Sequence, residues 1–288
     1  MSQVFDRIRR FTTRYVDRPI LALPLPVGIH RSLFALQAKL MTTEVEVAVR
    51  WQDVGGVPTR IVSPPRPKGR LLWLHGGGFV LGSPDTHAGL TDHLALASGL
   101  EVWTPRYRRA PEHPWPAAPD DVRSVAQAMP RPFHLGGDSA GGNLALVLLA
   151  QALTDGRAPL SVTLISPVVD LRERQDDSRT DAEMLLPRAF LHRCRAAYLR
   201  DADGRDRRQS PVLAEFPGCP PVHLELSARE VLEPDGMAIA ERLEAAGATV
   251  HLHVEPKTPH DYPLCAGRSS AADMAILRMA KHLEAHQP

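Results

Sequence analysis

Gly137-Asp138-Ser139-Ala140-Gly141-Gly142 stands between an apolar run that suits a strand and a long apolar run that suits a helix. A serine nucleophile is mounted this way: a tight strand-to-helix turn holds its Oγ clear of the backbone, and small neighbours let strand and helix approach closely. Phe133-His134-Leu135 is expected to end the strand, and Asn143-Leu144-Ala145-Leu146-Val147-Leu148-Leu149-Ala150 has the composition of a buried helix. The first turn of that helix offers unpaired N–H groups beside Ser139, which favour negative charge developing on a bound carbonyl oxygen. A G-x-S-x-G spacing alone fits an ordinary glycine-rich turn equally well. The flanking runs favour the nucleophile.

Working outward, Leu71-Leu72-Trp73-Leu74 has no polar alternation and suits a central strand covered on both faces. Further strands are expected at residues 45–49, 60–62, 102–103, 162–165, 222–226 and 250–254, with helices at 91–98, 143–153 and 237–246 between most of them. That is βαβ order. It predicts an α/β fold with a mostly parallel sheet and helices on both faces.

A serine hydroxyl needs an imidazole to remove its proton, and the imidazole needs an orienting carboxylate. In a strand-turn-helix context of this kind the chain order is Ser, acid, His. His260 follows the strand 250–254 in Glu255-Pro256-Lys257-Thr258-Pro259-His260-Asp261 and is the expected base. His251 and His253 share the polar face of an alternating strand and read as surface side chains. The acid should follow the strand 222–226, where the loop supplies Glu230, Glu233 and Asp235. Glu230 comes soonest and is preferred, with Asp235 as the alternative; Glu233 and Asp235 flank Pro234 and can begin or cap the next helix. Arg229 reads as a solvated neighbour.

His75-Gly76-Gly77-Gly78 exposes backbone N–H groups unobstructed by Cβ, and with the Ala140 N–H these could complete an oxyanion hole. A phosphate-binding reading fails on detail, because no Lys-Ser, Lys-Thr or GxGxxG spacing is present. His75 reads as a structural hydrogen-bonding residue rather than a second base. His87 and His93, like His251 and His253, lack a convincing set of metal-binding partners, and there is no HExxH.

The 288 residues, 43% hydrophobic and 23% charged with a net charge of +1, describe a globular domain and give no argument for nucleic acid or an anionic membrane as a partner. Cys194, Cys219 and Cys265 are too few and scattered for a disulfide framework or a thiolate metal site, and read as small buried hydrophobes. The polar first ten residues show no secretory h-region, so a cytoplasmic location is the default. Residues 1–44 form an N-terminal arm in which Ile29–Leu40 reads as an amphipathic helix, either packed as a structural arm or shielding an active-site mouth. Residues 45–288 form the main domain. Within it, 171–208 is too long for an ordinary connection and reads as a helical insertion over the carboxyl ends of the strands. Arg205-Asp206-Arg207-Arg208 reads as solvated surface.

His75-Gly76-Gly77-Gly78-Phe79, Tyr107-Arg108-Arg109-Ala110-Pro111-Glu112-His113-Pro114-Trp115-Pro116-Ala117-Ala118-Pro119-Asp120-Asp121 and Gly137-Asp138-Ser139-Ala140-Gly141-Gly142 together resemble the hormone-sensitive-lipase-like family of bacterial α/β-hydrolase esterases, over about residues 45–288. The resemblance implies Ser139 as nucleophile, His260 as general base, and Gly77, Gly78 and Ala140 as oxyanion donors. The family's usual acid is an aspartate, and Glu230 stands at the matching position. It also implies a cap built from the N-terminal segment and an insertion after the sixth strand. Short- to medium-chain acyl esters as small-molecule substrates and dimerisation through the last strand follow from it as well; a triad mechanism requires no metal or organic cofactor, and no stable membrane association is expected. Lactone or amide cleavage by the same residues, or a catalytically silent receptor on this fold, are the alternatives.

Overall fold

The computed structural model describes residues 2–173 and 183–288. Eight strands form one sheet: β1 (Ala48–Val54), β2 (Val57–Ser63), β3 (Arg70–Leu74), β4 (Glu101–Pro105), β5 (His134–Asp138), β6 (Val162–Ile165), β7 (Val222–Ser227) and β8 (Val250–Glu255). Their order is β1-β2-β4-β3-β5-β6-β7-β8; β2 pairs antiparallel with both β1 and β4, and every pairing from β4 onward is parallel. The α/β expectation with a mostly parallel sheet is met.

The uninterrupted apolar run of β3 has a direct explanation. Leu71 and Trp73 pack into a core beneath the helices α4 (Ala88–Ser98) and α9 (Ser270–Ala285), whereas Leu72 and Leu74 pack into the opposite core beneath α5 (Ala117–Ala128), α6 (Ala140–Thr154) and α8 (Glu233–Ala245). Alternate side chains of a strand leave opposite faces, so a strand covered twice must be apolar throughout.

Among the described residues there are also the α-helices α1 (Ser2–Thr12), α2 (Arg18–Ala22), α3 (Val27–Met41) and α7 (Arg188–Leu199), with a π-helical turn at Thr13–Asp17 between α1 and α2. The first strand begins at Ala48 rather than Val45, and β5 runs three residues past Leu135, through Gly136 and Gly137 to Asp138. Those glycines, poor strand formers alone, are held by pairing with Trp73 and Leu74 on one side and Thr163 and Leu164 on the other. The sequence reading assigns no helix to α1, α5 or α9. Of the expected insertion at 171–208, residues 174–182 lie outside the described residues, while α7 matches its predicted helical stretch.

Strand order reverses between β3 and β5, since β4 lies on one side of this pair and β6 to β8 on the other. Loops leaving the carboxyl ends of such neighbouring strands diverge and open a crevice. The glycines following β3 and the serine following β5 flank that crevice.

Candidate active site

Ser139 occupies the residue between β5 and α6 with φ +52° and ψ −118°, a conformation that costs energy for a side chain bearing Cβ. Surrounding backbone bonds hold it there: its N–H donates to the Ile165 carbonyl at 2.8 Å, and its carbonyl accepts from Asn143 at 3.1 Å and Val168 at 3.0 Å. The small neighbours are sterically required. A Cβ on Gly141 would collide with the Leu74 carbonyl oxygen, and one on Gly142 would come within 2.8 Å of Pro167.

Three loops at the carboxyl ends of β5, β7 and β8 bring Ser139, Glu230 and His260 into one hydrogen-bonded chain, with all three side chains buried. His260 Nε2 is 3.0 Å from Ser139 Oγ, and His260 Nδ1 is 2.6 Å from Glu230 Oε2. The other carboxylate oxygen of Glu230 accepts from the Ser166 hydroxyl at 2.8 Å and the Ser227 N–H at 2.9 Å. Asp235 lies elsewhere, in the first turn of α8, where its Oδ2 is 3.4 Å from the Val169 N–H.

The loop after β3 meets the same point. Gly77 and Gly78 have φ of +107° and +62°. A Cβ at Gly77 would collide with the Gly82 backbone nitrogen, so backbone angle and space both demand glycine there. The loop is tied down by Val80 and Leu81 N–H groups donating to the Gly77 carbonyl at 3.1 and 2.8 Å, and by the Arg109 guanidinium bonding the Leu81 and Gly82 carbonyls.

Asp138 links this loop to the serine turn. Its carboxylate accepts from the Trp73 indole at 2.9 Å and from the Gly76 N–H at 2.8 Å, and lies 2.9 Å from His87 Nε2. Burial opposes protonation of His87, but the facing Asp138 carboxylate raises its pKa above the ordinary histidine value. His75 is fully buried, stacked on Tyr107 with ring centroids 4.2 Å apart, and burial followed by the proximity of His87 lowers its pKa well below the usual value. It therefore stays neutral, in keeping with a structural role. Among the described residues no group of three or more His, Cys, Asp or Glu is arranged to hold a metal ion.

Sequence reasoning gave no role to Asp261. It is buried, takes φ +52°, and places Oδ2 3.0 Å from His260 Nε2, the nitrogen that also faces Ser139. Its position directly after the expected base was the available signal, but chain adjacency does not say which way a side chain turns. Burial tends to keep His260 neutral; the carboxylates of Asp261 and Glu230 overcome it and raise the pKa well above the ordinary value.

The site opens into a cavity of about 180 Å³, lined at its base by Gly77, Gly78, Ser139 and His260. Its walls come from Leu21, Leu33, Phe34 and Met41 of the N-terminal helices and from Leu186 and Phe190 near α7. The two segments are joined by Arg193, whose guanidinium bonds the carbonyls of Leu21, Ala22 and Leu23.

A family model for the α/β-hydrolase fold matches residues 71–264, two thirds of the protein. The chain belongs to the α/β-hydrolase fold family. It is 37% identical to an acetyl-hydrolase of Streptomyces hygroscopicus over 72% of this chain and 73% of that one. It is 30% identical to the carboxylesterase NlhH of Mycobacterium tuberculosis over 82% of both. Of solved structures, an esterase from the bacterial hormone-sensitive lipase family superposes with a TM-score of 0.86 at 28% identity, covering 92% of this chain and 93% of the other. A hormone-sensitive lipase from a metagenome library superposes at 0.89 and 28% identity, covering 100% and 99%. The resemblance carried by the three motifs is thereby borne out.

Proposed function

We propose that the protein is a serine carboxylesterase that hydrolyses short- to medium-chain acyl esters through an acyl-enzyme on Ser139. The observation that carries this reading is the unbroken hydrogen-bonded chain from Ser139 through His260 to Glu230 at the floor of an apolar cavity. Relatives named acetyl-hydrolase, carboxylesterase and, in Pseudomonas putida, ethyl acetate hydrolase support it.

In this mechanism neutral His260 takes the Ser139 proton on Nε2 as Oγ attacks the ester carbonyl carbon. The carbonyl π electrons move to oxygen, and the resulting oxyanion is held by the N–H groups of Gly77, Gly78 and Ala140. Ala140 opens α6, so its N–H has no partner within the helix and lies at the positive end of the helix dipole. As the oxyanion collapses, the bond to the alkoxy oxygen breaks and His260 delivers its proton to the departing alcohol. Water then attacks the acyl carbon while giving a proton to His260, and the second collapse returns that proton to Ser139 with release of the carboxylic acid. Glu230 fixes the ring with Nδ1 as the donor and stabilises the imidazolium. The N-terminal helices and the segment around α7 act together as the cap that shapes the acyl pocket.

The test is treatment with a p-nitrophenyl alkylphosphonate followed by peptide mass spectrometry, alongside turnover of p-nitrophenyl butyrate. The expected result is one phosphonyl adduct on Ser139, stoichiometric loss of turnover, and no turnover by folded Ser139→Ala above the small residue left by binding and oxyanion contacts. An adduct elsewhere with turnover retained would overturn the reading.

A further inference from the structure

The N-terminal helix is amphipathic, but apart from Phe5 it turns its apolar residues away from its own domain. Val4, Ile8, Phe11 and Tyr15 repeat at helical spacing and form one stripe, yet Ile8 is 57% and Phe11 61% exposed. Against the body, α1 and its continuing turn bury Arg9, in an ion pair with Asp17, and Thr13, while Phe5 is half-buried against the cluster of Met41, Tyr262 and Cys265. A helix stabilised by its own core does the reverse, burying the apolar stripe and exposing the polar one.

A second stripe lies on α3. Ile29, Leu33, Leu36 and Leu40 share one face, with Leu36 59% and Leu40 65% exposed. Leu33 of this stripe also lines the cavity that contains Ser139, so the apolar surface runs into the cavity mouth. The charge beside the first stripe is one-sided. Residues 4–18 hold Arg7, Arg9, Arg10, Arg14 and Arg18 against Asp6 and Asp17. On a helical projection Arg7, Arg10 and Arg14 fall along one flank of the stripe. Among the described residues no helix is long and apolar enough to cross a membrane, so an apolar face here acts by lying on a surface.

We propose that α1 and α3 are a docking face for an anionic phospholipid surface, the apolar stripes entering the acyl boundary and the arginine flank meeting the phosphates. Charge complementarity decides the occupant. Guanidinium groups beside an apolar, aromatic-containing stripe match a layer that offers phosphate above hydrocarbon. The net charge of +1 conceals the feature, because it averages an arginine-rich end with the rest of the chain. Docking would bring the cavity mouth to the interface where acyl esters partition; that consequence rests on the ester-hydrolase reading, whereas docking itself does not.

The test is co-sedimentation of the full-length protein with unilamellar vesicles, one set of phosphatidylcholine and one of equal parts phosphatidylcholine and phosphatidylglycerol. Binding is expected to the anionic set and to weaken with added salt. Phe11→Glu should weaken it at least about tenfold, because it places a charge in the layer that must enter hydrocarbon. Arg7→Gln with Arg14→Gln should weaken binding to the anionic vesicles while leaving the apolar stripe intact. Thermal melting establishes that each variant is folded. Ser139→Ala should sediment like the unaltered protein, which separates this proposal from the catalytic one. Failure to bind anionic vesicles, or full retention of binding by Phe11→Glu, overturns it. So does light scattering showing that the face is buried in a dimer that Phe11→Glu dissociates.

Discussion

Asp261 Oδ2 stands 3.0 Å from His260 Nε2, as close to that nitrogen as the Ser139 hydroxyl is. In the neutral ring Nε2 accepts from the Ser139 hydroxyl, whereas a protonated Nε2 can donate to the Asp261 carboxylate, so that carboxylate favours the imidazolium. Only neutral His260 can accept the Ser139 proton, so its raised pKa places the acid limb of kcat/KM at higher pH than an ordinary histidine would. Other charged groups around the pair are Glu230, Asp138 and His87, with the Arg9–Asp17 ion pair across the cavity. Asp261→Asn removes the negative charge nearest Nε2. The limb should move to lower pH, measured as kcat/KM for a short-chain ester from acid to alkaline pH. An unmoved limb, or one moved upward, would show that Asp261 does not act on His260.

Glu230→Gln tests the acid through hydrogen-bond direction. The Gln amide oxygen would continue to accept from Ser166 and Ser227, leaving its NH₂ group facing His260 Nδ1. Nδ1 must then accept, which puts the proton of the neutral ring on Nε2, where it cannot take one from Ser139. A loss of about 10³- to 10⁴-fold in kcat is expected for this wrong tautomer. Asp235→Asn, at the start of α8, should cost less than about tenfold. The reverse order in two folded proteins would move the acid to Asp235.

Acyl length should be limited by the walls of the cavity. With about 180 Å³ closed by Phe34, Leu186 and Phe190, turnover of p-nitrophenyl esters should be best for acyl chains of roughly two to eight carbons and fall beyond them. Equal or better turnover of long-chain emulsions would contradict this limit.

The free edge of β8 provides a test of self-association. Val222 of β7 and Ala228 just after it donate to the carbonyls of Thr249 and Glu255. In a parallel ladder the odd-numbered positions of β8 therefore face β7, and Leu252 directs its N–H and carbonyl to the open side. If a twofold partner pairs with this edge, light scattering at micromolar concentration should give a dimer. Leu252→Pro should convert it to a monomer while sparing the β7 pairing. A monomeric unaltered protein would exclude edge pairing.

What the amino-acid sequence determined was whatever local chemistry imposes. The run Leu71–Leu74 suited a doubly covered strand, Gly141 and Gly142 between a strand-like and a helix-like run favoured a close strand-helix approach, and Ser, a carboxylate and His occurred in the order such a sheet requires. These features depend on neighbours within a few residues or on connection rules, so they survive without coordinates. The sequence preferred Glu230 but left Asp235 open, because both follow β7 within nine residues of its end and only the packing of that loop against Ser166 and the β8 loop brings one of them to His260 Nδ1. The direction of the Asp261 side chain and the outward apolar stripe of α1 could not be read from the sequence at all. A left-handed backbone at Asp261 turns its carboxylate back onto the ring beside it, and helical periodicity reveals that α1 has two faces without revealing which one is buried. Direction in space is a property of the assembled chain, set by contacts among segments far apart in sequence.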